Sequence, residues 1–172
     1  MSEPPADLAT LSARVSAIGD QQQIHSLLAR YATAVDARDW NDYAACFTDD
    51  ADIDYQSSGG PRGNAAAVVP WLRESMANFA MSSHYVTNIV ITFGDTDAAA
   101  SEIPASADHA TGHALFYSPM GNVGADGTMD MLHVGGSYTD RYTRTAAGWR
   151  ISARRQDTSW FSGGWTPPAE TD

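Results

Sequence analysis

Hydrophobic and polar positions divide the chain into two halves with different periods. In the first half, Ile24, Leu27, Leu28, Tyr31, Ala32 and Val35 recur at three and four residues, the stripe of an amphipathic helix. An earlier helix is predicted from Leu8 to Ile18, with Gly19 and Asp20 as punctuation and Asp20 as the N-cap of the helix that follows. Trp40, Tyr43, Ala44 and Phe47 predict a short third helix over Trp40 to Phe47. Ala51 to Tyr55 reads as a short strand, and the Ser-Ser-Gly-Gly-Pro-Arg-Gly run from Ser57 as a turn. A further helix starts near Asn64, with Val68, Trp71, Leu72, Met76 and Phe79 on one side.

After His84 the period becomes two. From Tyr85 to Phe93 every second residue is bulky and apolar or aromatic, Thr87 excepted, as in a strand with one packed face. Further strands are predicted over Thr111 to Ser118, Met129 to Thr143 and Trp149 to Trp160, with glycine-containing turns between them. The alanine-rich stretch Asp97 to His109 reads as an extended arm or a strand with a long loop. Residues 1–7 and 163–172 read as flexible tails of a single domain spanning 1–172. Helices followed by a run of antiparallel strands imply an α+β fold, a curved sheet wrapped around helices.

Composition narrows the function classes. At 172 residues and 43% hydrophobic, the chain can bury a real core. A net charge of -11, with ten basic residues that are all arginine, argues against nucleic acid and anionic membranes as partners. Arg141, Arg144, Arg150 and Arg154 are spread through a strand-like region, not along one basic helix face. No apolar run is long enough for a membrane span and no leader pattern is visible, so a cytoplasmic location is expected. The single cysteine, Cys46, lies in an apolar context and reads as a small core residue. None of the five histidines forms a helical i, i+4 pair. His109 and His113 would stand roughly 13 Å apart on a strand at about 3.3 Å per residue. With no phosphate loop or dinucleotide fingerprint, no metal and no cofactor are expected.

Two residues stand out chemically. His84 opens the strand that starts at Tyr85, where a scaffold can fix the ring and leave one edge accessible. Asp36 ends an otherwise apolar helical stripe, a costly position for a charge without a partner. Each has a plainer reading, His84 as an exposed or structural ring and Asp36 as a solvated helix end. Tyr31 lies five residues before Asp36, roughly 140° around the helix, and is either a pocket phenol or the polar-tipped member of the core stripe. Of the neighbours Arg154 and Arg155, one should face in and one out.

Several segments, in their order and separation, resemble the SnoaL-like group of NTF2-like proteins, cone-shaped α+β barrels that include scytalone dehydratase, bile-acid 7α-dehydratase and hexachlorocyclohexane dehydrochlorinase. They are Tyr31-Ala-Thr-Ala-Val35-Asp36, Phe47-Thr-Asp-Asp50-Ala51, His84-Tyr-Val-Thr-Asn88, Gly135-Gly-Ser-Tyr138-Thr-Asp140-Arg-Tyr142, and Gly148-Trp149-Arg150-Ile151 leading to Arg154. The similarity runs from about Ile24 to Phe161. It implies a dyad of Asp36 and His84 at the mouth of a pocket, with Tyr31 as a phenol donor and Arg154 assisting the leaving group. It also implies a lining of Val35, Ile53, Phe79, Val134 and Tyr138, with Phe116 inward and Trp40 and Tyr55 nearby. Asp108, His109 and His113 are candidates for a third polar group. An insertion around Ser101 to Asp108 obscures the register, and the alignment turns Ala114 and Phe116 inward and His113 outward. His133 is expected to face out and His25 to lie on the surface.

The function implied is a cofactor-independent lyase or isomerase acting on a neutral apolar cyclic molecule, a dehydratase or related elimination. A polyketide cyclase or ketosteroid-isomerase-type enzyme, or a non-catalytic binding or assembly module, is the alternative. If His84 is the base, the rate should rise with pH as the ring becomes neutral, and a neighbouring carboxylate should favour the imidazolium. Tyr138 and Tyr142 share one strand face. The open face of the sheet is rich in Thr, Tyr and apolar residues, so a homodimer or homotrimer is expected.

Overall fold

Where two helices were expected, one continuous helix, α1 (Leu8–Ala37), runs through the computed structural model, which describes residues 7–94, 108–124 and 126–163. Its N-cap is Asp7, whose Oδ1 accepts from the Thr10 amide at 2.7 Å. Gly19 costs a helix about 1 kcal/mol relative to alanine, too little to break it here. Asp20 is buried and caps nothing. Its carboxylate accepts from Arg144 Nη2 at 2.5 Å and Trp149 Nε1 at 3.1 Å, tying the helix to the far end of the sheet.

The Arg144 hydrogen bond, opposed by burial and assisted by Trp149, holds the Asp20 carboxyl below the ordinary carboxylate value. A depressed folded-state pKa contributes stability above the unfolded value, about 3.9, that is lost as pH falls through the folded value. Below about pH 4 the melting temperature should therefore drop more steeply in the wild type than in Asp20→Asn, as followed by circular dichroism. Parallel curves would count against the strut.

The next elements are short. Helix α2 (Trp40–Ala44) ends earlier than expected because Phe47 starts strand β1 (Phe47–Asp54), pairing in parallel with the last strand opposite Ile151. A single 3-10 turn, Gln56–Ser58, leads to β2 (Arg62–Gly63). Helix α3 (Ala65–Ala77) begins at Asn64, whose Oδ1 accepts from the Ala67 amide. Then come β3 (Met81–Ser82), β4 (Tyr85–Phe93), β5 (His109–Val123), β6 (Met129–Thr145) and β7 (Gly148–Gly163). Most of the expected arm from Asp97 to His109, and the tails apart from Asp7 and Gly163, lie outside the described residues.

The sheet runs in the order β2-β1-β7-β6-β5-β3, with β4 also on β5, so β3 and β4 share its free edge. It is curled, mixed and unclosed, antiparallel except where β1 meets β7. Helices α1 and α3 pack on the concave face, where Leu28, Val35, Val68, Tyr142 and Ile151 form part of the core. Strand β4 departs from simple alternation. Thr87 pairs Leu115 and Val90 pairs His113, so β4 carries one extra residue, with Asn88 in the left-handed region at φ 52°. The bulge changes the face: Val86, Ile89, Ile91 and Phe93 turn inward, while Tyr85 turns outward and stacks on Tyr117.

Candidate active site

A cavity of about 270 Å³ opens between the concave face of the sheet and helices α1 and α3. Tyr31 and Val35 reach it from α1, Phe79 from the end of α3, Phe116 from β5, and Val134 and Tyr138 from β6. Tyr55, from the end of β1, joins them. Six expected lining residues and the expected phenol, Tyr31, are thus brought together. Trp40 and Ile53 do not line this cavity. Trp40 packs edge-on against Tyr43 beneath Arg73, and Ile53 is enclosed in the core where β1 meets Arg154 of β7. Trp71, Leu72, Met76, Met120, Leu132 and Phe161 complete the apolar wall, the first three lying on the α3 stripe already visible in the sequence.

His84 lies between β3 and β4 and lines the cavity. Its backbone N–H donates to Asp36 Oδ2 at 2.8 Å, and its ring Nδ1 lies 2.6 Å from Asp36 Oδ1. Both carboxylate oxygens are therefore engaged by one residue. Burial disfavours the Asp36 charge, but the hydrogen bonds from the His84 ring and backbone outweigh it and hold the carboxyl below its ordinary value. An ionised carboxylate only accepts, so Nδ1 carries the proton and Nε2 of the neutral ring keeps its lone pair. Asp36 itself does not line the cavity; it stands behind the histidine.

Arg38 braces this arrangement. It ends α1 in the left-handed region at φ 56°, unusual for a residue with a Cβ. Its guanidinium donates to Asp36 O at 2.8 Å, Met76 O at 3.1 Å and Phe79 O at 2.8 Å, fastening the C-terminal ends of α1 and α3 together. Across the same segment, Asn122 of β5 donates to Asn78 O and accepts from the Ala80 amide.

A phenol cluster borders the cavity. Tyr31 and Tyr55 hydroxyls are 2.9 Å apart, and Tyr43 and Tyr55 hydroxyls 3.2 Å. Burial, the dominant cause, pushes Tyr55 and Tyr138 well above the ordinary tyrosine pKa, so both remain protonated donors. Tyr138 is hydrogen-bonded to Tyr31 as well, so the four hydroxyls form one chain in which either partner of the Tyr31–Tyr55 and Tyr43–Tyr55 pairs can donate.

Arg154 is not where a leaving-group helper must be. It is 1% exposed and does not line the cavity. Its Nε and Nη2 donate to Asp140 Oδ1 and Oδ2 at 2.8 and 2.6 Å, and Tyr142 donates to the same Oδ2 at 2.9 Å. The guanidinium carbon sits 4.1 Å from the Tyr31 ring centre and 4.0 Å from that of Tyr138, between the two faces. Burial opposes its charge, but Asp140 outweighs burial and keeps the cation.

None of the three candidates for a further polar group lines the cavity. Asp108 is exposed beside Arg144, His109 lies next to Thr143 on the outside, and His113 points out of β5 between Ala114 and Gly112. His133 also faces outward, where Nδ1 meets the Tyr117 hydroxyl at 2.7 Å. His25 is half-buried on α1 and not fully on the surface as expected, its Nε2 without a partner among the described residues. Cys46 is buried with its thiol pushed up to about 11 by desolvation, an inert core residue. No group of His, Cys, Asp or Glu suited to a metal ion occurs among the described residues, and no helix there is long and apolar enough to cross a membrane.

Sequence reasoning missed Ser58 and Gln156, both on the cavity wall. Gln156 follows Arg154 by two on one strand and so shares its face, a signal that was available. Ser58 lies in a turn, where no period marks a direction.

Known proteins share this architecture. An uncharacterized protein of Mycobacterium tuberculosis is 33% identical over 147 residues, which is 86% of this chain and 90% of the relative. A candidate aromatic ring hydroxylase from Novosphingobium aromaticivorans superposes with a TM-score of 0.68 at 27% identity, over 86% of this chain and 94% of that one. A hexachlorocyclohexane dehydrochlorinase, 20% identical, superposes with a TM-score of 0.63 over 95% of this chain and 99% of its own. The fold is that of NTF2-like proteins. Residues 16–155 match the SnoaL-like domain, and the chain belongs to the SnoaL-like family.

Proposed function

We propose that this cavity is the active site of a cofactor-independent lyase or isomerase, most simply a dehydratase or related eliminating enzyme. Its base is His84, and Asp36 positions the ring and stabilises the imidazolium that forms when it takes a proton. The observation that carries this reading is the pair of hydrogen bonds that His84 donates to Asp36, which leaves one ring nitrogen free in a residue that lines an apolar cavity. Nε2 takes a proton from a substrate carbon and the ring becomes an imidazolium beside the ionised Asp36. The C–H electron pair forms a double bond, either expelling a β-leaving group or moving charge onto a carbonyl oxygen. The imidazolium then returns the proton, to a departing hydroxide as water or to another carbon in an isomerisation. The Tyr31 hydroxyl, backed by Tyr55, supplies a hydrogen bond where negative charge develops.

A cavity of about 270 Å³ lies just below the usual range for drug-sized ligands, about 300–1,000 Å³, and suits one or two fused rings. The ring compounds named for the Novosphingobium relative and for the dehydrochlorinase, which share the fold, are in keeping with a neutral cyclic substrate. The test is proton abstraction itself. With 1-indanone in D₂O, the protein should accelerate exchange of the C2 protons, read by NMR. Absence of acceleration for indanone and for a panel of cyclic ketones and enones would remove the base and favour a binding module.

We further infer a homodimer or homotrimer. Tyr138 and Tyr142, expected to border the open face, are both core residues and offer nothing to a partner. The outer face instead exposes Tyr85, Val90, Leu115, Tyr117 and Trp160, none of them charged, on a molecule of net charge -11. Leu8, Leu11, Val15 and Ile18 form a second exposed apolar stripe on α1. A second copy covers neutral apolar surface without bringing carboxylates together. Light scattering at micromolar concentration should give a dimer or trimer mass, and a clean monomer would overturn the assembly.

A further inference from the structure

The cavity has a second polar pole that the proton-transfer reading leaves unused. Gln156 of β7 and Ser58 of the 3-10 turn both line it, on the wall away from the dyad. Between β4, which His84 precedes, and β7 lie β5 and β6, so the two poles are three strand spacings apart, about 14 Å along the sheet at about 4.8 Å each. The turn is laced to the strand. Ser57 Oγ donates to Gln156 O at 2.7 Å and accepts from the Thr158 amide at 3.1 Å, while Gly60 packs against Trp71 and Tyr55 so closely that a Cβ there would lie 2.8–2.9 Å from their side chains.

Proton counting orients the Gln156 amide. Its terminal group meets the Ser58 hydroxyl and, at 3.1 Å, the Thr158 hydroxyl, and those two hydroxyls are 2.8 Å apart. If nitrogen faces the hydroxyls, two amide hydrogens and one hydroxyl hydrogen fill all three contacts, with one hydroxyl hydrogen left over. If oxygen faces them, only two hydrogens exist for three contacts and one pair of oxygens meets without a proton. Nitrogen therefore faces the hydroxyls. Oε1 then has no partner among the described residues, and when Thr158 donates to Ser58 the hydrogen left over is that of Ser58, the one of the two hydroxyl residues that lines the cavity.

We propose that Gln156, latched by Ser58 and Thr158, is a specificity subsite that reads a hydroxyl group on the substrate at the end remote from the carbon that loses its proton. The subsite offers an acceptor and a donor side by side. A ligand hydroxyl uses both, whereas a carbonyl or ether uses only the donor and leaves Oε1 unpaired. The substrate class is thus narrowed to a hydroxylated one- or two-ring compound. The proposal rests on this cavity being the substrate site.

The probes are 1-indanone and 5-hydroxy-1-indanone, which differ only by a hydroxyl opposite the exchangeable C2 position. Calorimetric titration of the full chain should show the hydroxylated compound binding about fivefold to tenfold more tightly, the yield of one net hydrogen bond. In Gln156→Met the ratio of affinities should collapse toward one. Ser58→Ala, which unlatches the amide, should reduce it and decides the matter if Gln156→Met does not fold by circular dichroism. Equal wild-type affinities, including no measurable binding of either compound, overturn the subsite, as does a ratio that survives both substitutions. The C2 exchange assay separates the two claims: exchange without a hydroxyl preference overturns the subsite and leaves the dyad standing. A hydroxyl preference without exchange supports the subsite and overturns the dyad.

Discussion

His84→Ala should lower the rate of C2 proton exchange by about 10²–10⁴-fold while leaving folding nearly intact, because the ring contributes proton transfer more than packing. Asp36→Asn keeps the shape but removes the charge that stabilises the imidazolium and accepts both His84 bonds, so a large loss is expected there as well. The double variant should be little worse than His84→Ala, since residues that act as one unit are not additive. Exchange rates by NMR, with circular dichroism as the folding control, measure all three. Full additivity would make Asp36 an independent base, and wild-type exchange in His84→Ala would sink the mechanism.

The largest expected effect on stability lies one layer behind the cavity. Asp140→Ala removes the partner of a buried guanidinium that cannot lose its proton, and should cost about 3–5 kcal/mol. Since domains are stable by only about 5–15 kcal/mol, that is a large part of the total. Arg154→Met should be comparably destabilising, because Asp140 keeps only the Tyr142 hydroxyl. Replacing both, as Asp140→Leu with Arg154→Met, should lose less than either single change, since no orphaned charge remains. Denaturant titration gives the order. Folded Arg154→Met should still exchange indanone protons, as the guanidinium touches Tyr31 and Tyr138 and lines no part of the cavity. A variant that is fully stable but inactive would return Arg154 to the substrate.

Much of the architecture was legible because burial on one side of an element imprints a local period. The α1 stripe, the α3 stripe and strands β4 to β7 could be read this way, since the side-chain direction of a helix or strand repeats within a few residues. Asp36 and His84 were legible for a related reason: each is polar at the end of an apolar pattern, where an unpaired group is costly.

What the sequence by itself determined, then, was the α+β order of elements, their inward faces and the two polar residues that break the pattern. Tertiary structure alone decided the rest. Gly19 and Asp20 do not end a helix, because a propensity cost of about 1 kcal/mol is offset by bonds from Asp20 to Arg144 and Trp149, more than 120 residues away. Tyr85 faces out because a bulge at Asn88 changes the register, which no alternation reports. Arg154 does face inward, as one of the arginine pair had to, but the register of β6 on β7 sets Asp140 opposite it and closes it off from the cavity. Ser58 meets Gln156 across 98 residues only because the sheet curls the turn after β1 over β7. Local patterning can tell which way a side chain points. What stands opposite it depends on register and curvature, which are settled by pairings between distant parts of the chain.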